Sequence, residues 1–272
     1  MIIVVITCQE ENIMKLGVIG VGNMASAILG GIIKNEVYKP EEIIGSNRSE
    51  AGRKKAKETL GICVTEDNKE VAKAEILMLG VAPEAHASVI EEIKDVVTED
   101  TIIWTIAAGI TIDDVEKAFG KKVKVVRTMP NTPAQVGEGV MGATPNSEVT
   151  EEDLAKIRTC IEATGIMEVI PESLMDGIIP VTGSSPAFIF MLINAMADGA
   201  VREGFPRKQA IRLAAQTVLG SAKMVLETGK HPEELKDDVC TPGGITIDMV
   251  KKMEEVGFRN AVLEGMEACR TK

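Results

Sequence analysis

From Lys15 onward, short apolar runs alternate with longer amphipathic stretches: KLGVIG then Met24 to Lys34, EIIGS then Glu50 to Leu60, ICV then Asn68 to Lys73, EILMLGV then Pro83 to Val97, TIIWTIAA then Ile112 to Phe119, and finally KVKVVRTM. Strands alternating with helices imply parallel βαβ units. The strand candidates are almost continuously apolar, as strands covered by helices on both faces must be. The pattern predicts a doubly wound sheet.

Ile166 to Ile170 reads as a last strand. Beyond it the period is helical throughout: Pro186 to Arg202, Arg207 to Thr228, Pro232 to Asp237, Thr246 to Val256 and Phe258 to Cys269. The sequence therefore predicts an α/β domain over residues 14–172 and an all-helical domain over 173–272. Ala187 to Ala200 (AFIFMLINAMADGA) is apolar on nearly every side and must be buried all round. At about fourteen residues it reads as too short for a bilayer, which needs roughly 20. A helical domain of this size has little material to surround it, so a second copy of the chain is expected to supply the rest, as a homodimer.

Composition narrows the partners. The 272 residues carry 30 basic and 41 acidic side chains, a net charge of −11, with 45% apolar residues. That is enough for real cores, and the acidity argues against nucleic acid or acidic membrane surfaces as partners. Five scattered cysteines, without a C-x-x-C pair and with only two histidines, point to no metal site and to a reduced cytoplasm. Residues 1–13 (MIIVVITCQEENI) lack the basic region and cleavage site of a signal peptide, and Met14 is an alternative start, so they read as a leading extension.

Chemistry enters at Gly20-Val21-Gly22-Asn23-Met24-Ala25, a G-x-G-x-x-A turn placed directly after one strand and opening the next helix. Gly20 permits the tight turn, Gly22 admits the pyrophosphate of a dinucleotide, and Ala25 lets the helix pack on the strand. Asn23 and Met24 contribute amides at the helix N-terminus, where an anion is favoured. About twenty residues further on, where NAD-specific proteins carry a carboxylate, the chain reads Ser46-Asn47-Arg48-Ser49. Nothing there repels a 2′-phosphate and Arg48 can bind one, so NADPH is expected over NADH. His86 and His231 are read as structural.

Three further stretches crowd glycine, proline and hydroxyl residues together: Arg127 to Pro133 (RTMPNTP), Thr182 to Phe188 (TGSSPAF) and Thr241 to Thr246 (TPGGIT). In the second, Ser184 or Ser185 is placed to cap a helix with Pro186 at its first turn. In the third, two glycines precede a helix start, leaving free amides beside hydroxyls for a small carboxylate.

With the glycine turn, these stretches resemble the pyrroline-5-carboxylate reductase family from about Met14 to Arg270, as do Asp198-Gly199-Ala200 ahead of Gly204-Phe205-Pro206-Arg207 and His231-Pro232 ahead of Leu235-Lys236-Asp237. The resemblance implies a Rossmann domain followed by an all-α dimerisation domain that interlocks with its partner's, decamers of five dimers in many relatives, and reduction of 1-pyrroline-5-carboxylate to L-proline by hydride transfer to C5. It further implies that Asn68, Val81, Ala82, Pro83, Ala107, Ala108 and Gly109 line the cofactor. Thr241, Gly243, Gly244 and Thr246 would grip the substrate carboxylate and ring nitrogen, with Thr246 the catalytic hydrogen-bonding group. Glu172 falls where some relatives carry an acidic substrate contact.

Ala82 stands where a lysine is common, which puts more weight on Arg48, and Ser185, Phe188 and Thr241 replace glycine, tyrosine and serine. Two alternatives stay open on sequence. A β-hydroxyacid dehydrogenase or imine reductase would need a lysine in the helix that here spans Ala187 to Ala200, which has none. A dinucleotide sensor without activity would share the fold.

Overall fold

The computed structural model describes residues 14–269, so the expectations for residues 1–13 fall outside the described residues. Eight strands form one sheet in the order β3-β2-β1-β4-β5-β6-β7-β8. They are β1 (Leu16–Ile19), β2 (Ile43–Ser46), β3 (Cys63–Thr65), β4 (Ile76–Leu79), β5 (Ile102–Thr105), β6 (Lys124–Met129), β7 (Gly139–Pro145) and β8 (Gly165–Val169). The first six pair in parallel, β7 runs antiparallel to β6, and β8 is parallel to β7.

Alternate residues of each strand feed two cores. Leu16, Val18, Ile76, Met78, Ile102 and Trp104 point to one face. There they meet α1 (Asn23–Lys34), α2 (Glu50–Leu60) and α6 (Glu151–Glu162). Ile19, Leu77, Leu79, Ile103 and Val125 point to the other face, against α4 (His86–Ile93) and α5 (Ile112–Phe119). A four-residue helix, α3 (Asn68–Val71), adds Val71 to this second face beside β1. Both faces are dry, which is why these strands read as unbroken apolar runs.

The helices obey local rules. α1 buries Ala25, Ile28, Leu29 and Ile32, one face of the 3.6-residue period. Ser49 caps α2 by accepting from the Gly52 amide, and Gly61 ends it in the left-handed region.

β7 and α6 are two elements the apolar pattern had left unassigned. β7 (GVMGATP) carries two glycines and a proline and alternates poorly, so it reads as a loop. α6 had a signal: Thr150 accepts from the Asp153 amide while the Asp153 carboxylate accepts from the Thr150 amide, a capping box with Asp in the Glu position. The stretch Pro83–Val97 is shorter in helix than expected, a 3₁₀ turn at Pro83–Ala85 followed by α4.

The chain divides into two compact units between Gly183 and Ser184. Residues 173–183, expected at the head of the helical domain, pack with the sheet: Met175 is fully buried, and Asn131 donates to the Thr182 carbonyl at 3.1 Å.

The second unit is all helix: α7 (Ser185–Arg202), α8 (Arg207–Thr228), α9 (Pro232–Val239), α10 (Ile245–Glu255) and α11 (Phe258–Ala268). The cap expected of Ser184 is not made. Ser184 is itself helical and makes no capping bond, because a π-helical turn, Ile179–Ser184, runs straight into α7. The helical stretch Ile179–Arg202 thus has 24 residues and is long and apolar enough to cross a membrane by length and composition alone. Length alone therefore does not bar this helix from a bilayer. The unit's own core is three alanines, Ala197, Ala210 and Ala214, with four partly buried apolar neighbours. Phe190, Met191, Leu219, Leu226 and Leu263 stay exposed within the chain.

Candidate functional site

The order of the first six strands puts β1 between β2 and β4, so the chain reverses direction across the sheet there. Ligands of open α/β sheets bind at the carboxyl ends of strands beside such a reversal. Gly20 follows β1, Asn47 follows β2, Asn68 comes shortly after β3, Val81 follows β4 and Ala107 follows β5, all along that one edge.

The glycines of the turn have different jobs. Gly20 has φ +90°, and a Cβ there would come within 2.8 Å of the Val81 Cγ1 and 2.9 Å of the Gly80 backbone. Any side chain would both strain the turn and drive β1 from β4. Gly22 has an extended conformation that any residue can adopt, and a Cβ on it would meet no protein atom within 4 Å. Open space at Gly22, above the amides of Asn23 and Met24 that no preceding helical carbonyl reaches, fits a phosphate. Ala25 is buried in the core and lies under Gly80, so its part is packing.

A groove of about 1100 Å³ runs from this turn. Its walls include Gly20, Asn47, Arg48, Asn68, Val81 and Ala82. Gly22 and Asn23 face an adjoining cleft of about 560 Å³ with Ser26, Lys55 and Gln135. Pro83 starts the 3₁₀ turn behind the Ala82 wall, and Ala107, Ala108 and Gly109 form the turn after β5, outside the residues that line either cleft.

Several groove side chains brace one another. Asn47 donates from Nδ2 to the Val21 carbonyl at 3.3 Å, holding the second strand end to the glycine turn. Asn68 accepts from the Ser46 hydroxyl at 2.6 Å and donates to Glu92 at 2.8 Å. Arg48 is exposed at the groove wall. Arg53 is a residue the sequence reading passed over. Its Nη1 donates to the carbonyls of Asn47 (2.9 Å) and Arg48 (3.3 Å), and its Nη2 pairs with Glu66 at 3.3 Å, so a cation one helical turn into α2 shapes the loop that presents Arg48. An arginine that spends its donors on carbonyls leaves no trace in a motif search.

Glu172 occupies a different setting. Its Oε1 accepts from the Ile112 amide at 2.8 Å and from Arg127 Nη1 at 3.1 Å, while Arg127 Nη2 reaches Asp176 at 2.9 Å. Arg127 is almost wholly buried and its Nε finds no partner. A buried guanidinium needs its carboxylates, so Glu172 ties the segment after β8 to β6 and to the start of α5. With Asn131, whose Oδ1 accepts from the Val140 amide at 3.0 Å, this accounts for the RTMPNTP stretch as an anchor.

In the helical unit, Thr241 to Thr246 form one turn leading into α10. The Gly244 amide donates to the Thr241 carbonyl at 3.0 Å, Gly243 has φ +72°, and a Cβ on Gly244 would lie 2.5 Å from the Thr241 hydroxyl oxygen. The left-handed backbone favours glycine at 243, and a side chain at 244 would push the Thr241 hydroxyl out of place. Gly244 is the N-cap and offers no side chain, so the amides of Ile245 and Thr246 are free of helical partners, and Ile245 is 88% exposed. His231 is structural, accepting from the Glu233 amide at 3.2 Å at the start of α9.

A glycine turn at a strand-order reversal, open at its second glycine and followed by a separate helical unit, defines a dinucleotide-binding α/β protein with a helical carboxy-terminal third. The family described as pyrroline-5-carboxylate reductase dimerisation matches residues 172–272, and that described as NADP oxidoreductase, coenzyme F420-dependent, matches residues 15–109. A pyrroline-5-carboxylate reductase of Escherichia coli is 46% identical over 95% of this chain and 96% of its own, and one of Methanosarcina acetivorans is 45% identical over 94% and 97%. Among solved structures, a pyrroline-5-carboxylate reductase of Coxiella burnetii superposes with a TM-score of 0.87 at 33% identity over 95% of this chain and 97% of that one. A Plasmodium falciparum enzyme with NADP bound superposes at 0.83 with 29% identity over 94% and 95%. The chain belongs to the pyrroline-5-carboxylate reductase family.

Proposed function

We infer that the chain carries out the last step of proline biosynthesis, the NAD(P)H-dependent reduction of 1-pyrroline-5-carboxylate to L-proline. It is an oxidoreductase acting on a C=N bond. Membership of the family over the whole length supports this, with the open glycine turn as the structural observation that carries it. When bound, the reduced nicotinamide supplies the hydride that goes to C5 of the cyclic imine.

The chain's residues do the rest. Gly20, Gly22, Asn23 and Met24 receive the pyrophosphate at the start of α1, and Asn47 keeps the turn in shape. Arg48, on a loop set by Arg53, holds a 2′-phosphate, which makes NADPH the preferred cofactor. Asn68, Val81 and Ala82 form the wall, with Pro83 and Ala107 to Gly109 behind it. Thr241, Gly243 and Gly244 hold the substrate carboxylate on free amides and a hydroxyl. Thr246 hydrogen-bonds the ring nitrogen. The imine is basic enough to be partly protonated in water before it binds, and the resulting iminium accepts hydride at C5 to give the amine, so the chain's main contribution is to hold C5 in place for attack. Glu172, in this account, orders the segment after β8 and does not touch the substrate.

The working form is a homodimer, and decamers of five dimers would follow the same helical surfaces; the cytoplasm is the expected location. Phe190, Met191, Leu219, Leu226 and Leu263 support this reading, since a chain alone leaves them in water.

Steady-state kinetics with both reduced nicotinamides test the cofactor assignment: a tenfold preference for NADH in kcat/KM would overturn it. Thr246→Ala should lower kcat at least about tenfold, near 1.4 kcal/mol of transition-state stabilisation. An unchanged rate would remove Thr246 from the mechanism.

A further inference from the structure

His86 opens α4, the helix whose Ser88, Val89 and Glu92 line the groove, and is itself all but closed to solvent. Its two ring nitrogens meet two different strand ends. Nδ1 lies 3.2 Å from the carbonyl of Ala82, after β4, and Nε2 lies 3.3 Å from the hydroxyl of Thr105, the last residue of β5. A carbonyl only accepts, so Nδ1 carries the proton and donates. Nε2 is then bare and accepts a hydrogen bond from the Thr105 hydroxyl. Burial holds the imidazole below its ordinary pKa, which keeps the ring in this neutral, two-way form.

The chain of bonds continues past Thr105. Its hydroxyl oxygen receives the Ala107 amide at 3.4 Å, at the head of the Ala107 to Gly109 turn. Its carbonyl receives the Thr128 hydroxyl at 2.9 Å, and Thr128 in turn accepts from Trp104 Nε1 at 2.9 Å. Thr105 and Thr128 have no exposure at all. In a dry interior each of these groups must keep its partner, because a buried polar group left unpaired is costly. Ala82 is itself a wall residue of the groove.

We propose that His86 is a positioning residue for the nucleotide groove, fixing the Ala82 wall after β4 to the turn after β5 through Thr105. Free of that tie, the wall can shift without the fold being lost, because α4 keeps Ile90 and Ile93 buried against the sheet. The effect falls on cofactor affinity and spares the chemical step. This rests on the reading that the groove takes the dinucleotide.

The test uses the full chain as wild type, His86→Phe, Thr105→Val and the double variant, with calorimetric titration of NADPH and steady-state kinetics at saturating imine. Thr105→Val keeps the shape and removes only the hydroxyl, so it stands in where His86→Phe fails to fold. Each single variant should raise the Kd and KM for NADPH about five- to tenfold, the loss of one buried hydrogen bond with its partner left unpaired. The kcat at saturating NADPH stays within about twofold, and the double variant is no worse than the poorer single, since both cut the same tie. A merely structural histidine would lower the melting temperature and leave the Kd unmoved. Single variants with wild-type Kd, or a double variant whose losses multiply, overturn the proposal alone. A wild-type chain that fails to bind NADPH overturns the groove reading and the proposal with it.

Discussion

Gly20 and Gly22 lie two residues apart in one motif, and the structure separates their roles sharply enough to test. Gly22→Val puts a branched side chain into space where no protein atom lies within 4 Å, from a backbone conformation that valine tolerates. Folding loses only the difference between glycine and a poor residue at the N-cap, about 0.5–1 kcal/mol, or a Tm shift of roughly 1–4 °C in a chain of this size. A phosphate resting against the α1 amides loses its place. Hydrogen bonds to a charged group are worth about 1.5–3 kcal/mol each, so losing one weakens NADPH binding by roughly 10- to 100-fold. Gly20→Ala is the opposite case. At φ +90°, with backbone atoms of Gly80 and Val81 within 2.9 Å of the new methyl, it costs about 1–3 kcal/mol or more of stability and unfolds the chain several degrees earlier. Calorimetric titration with NADPH beside thermal melts separates the two. Gly22→Val binding NADPH within threefold of wild type would refute the placement of the pyrophosphate.

Other expectations follow from packing and charge. Phe190→Asp combined with Met191→Asp should convert an oligomer to monomers in light scattering, because both side chains are exposed in the single chain and a self-association surface must cover them; unchanged mass would place the interface elsewhere. Asp153 is pushed upward by burial, but bonds from Thr150 and the 3.0 Å pair with Lys124 outweigh this and hold its carboxyl below the usual carboxylate range. Its stabilisation is therefore complete above about pH 4, the unfolded value, and is lost as the pH falls through the lower folded value. Lys124→Met should cost about 1–2 kcal/mol in urea melts at pH 7 and flatten the acid limb. Burial pushes the Cys160 thiol up to about 12, so iodoacetamide at pH 8 should label exposed Cys269 in the native chain and Cys160 only after unfolding.

The strands β1, β2, β4, β5 and β6 were legible because both faces of each are buried, which puts apolar residues on both sides of the strand. The helices of the second unit were legible to within about two residues, even though their core is mostly missing from the single chain, because their period survives wherever the apolar face ends up. β7 was not legible: its place is fixed by pairing with β6 and β8, and two glycines satisfy that pairing without marking a pattern. The glycine turn was legible since its chemistry demands particular residues at fixed spacing. Arg53, Arg127 and His86 were not, because their bonds go to backbone carbonyls, to carboxylates far along the chain or to a hydroxyl on another strand, and none of these partners has a residue type or spacing that marks it in the sequence. Glu172, which the resemblance puts at the substrate, also pairs with the buried Arg127, a contact the sequence does not announce.

The most direct test of the account follows a single atom. The purified chain is given 1-pyrroline-5-carboxylate and NADPH deuterated on the transferable position of the nicotinamide C4, and the amino acid formed is examined by mass spectrometry and NMR. The account predicts L-proline carrying one deuterium at C5. NADPH that binds but yields no proline, or proline labelled at any other carbon, would contradict it.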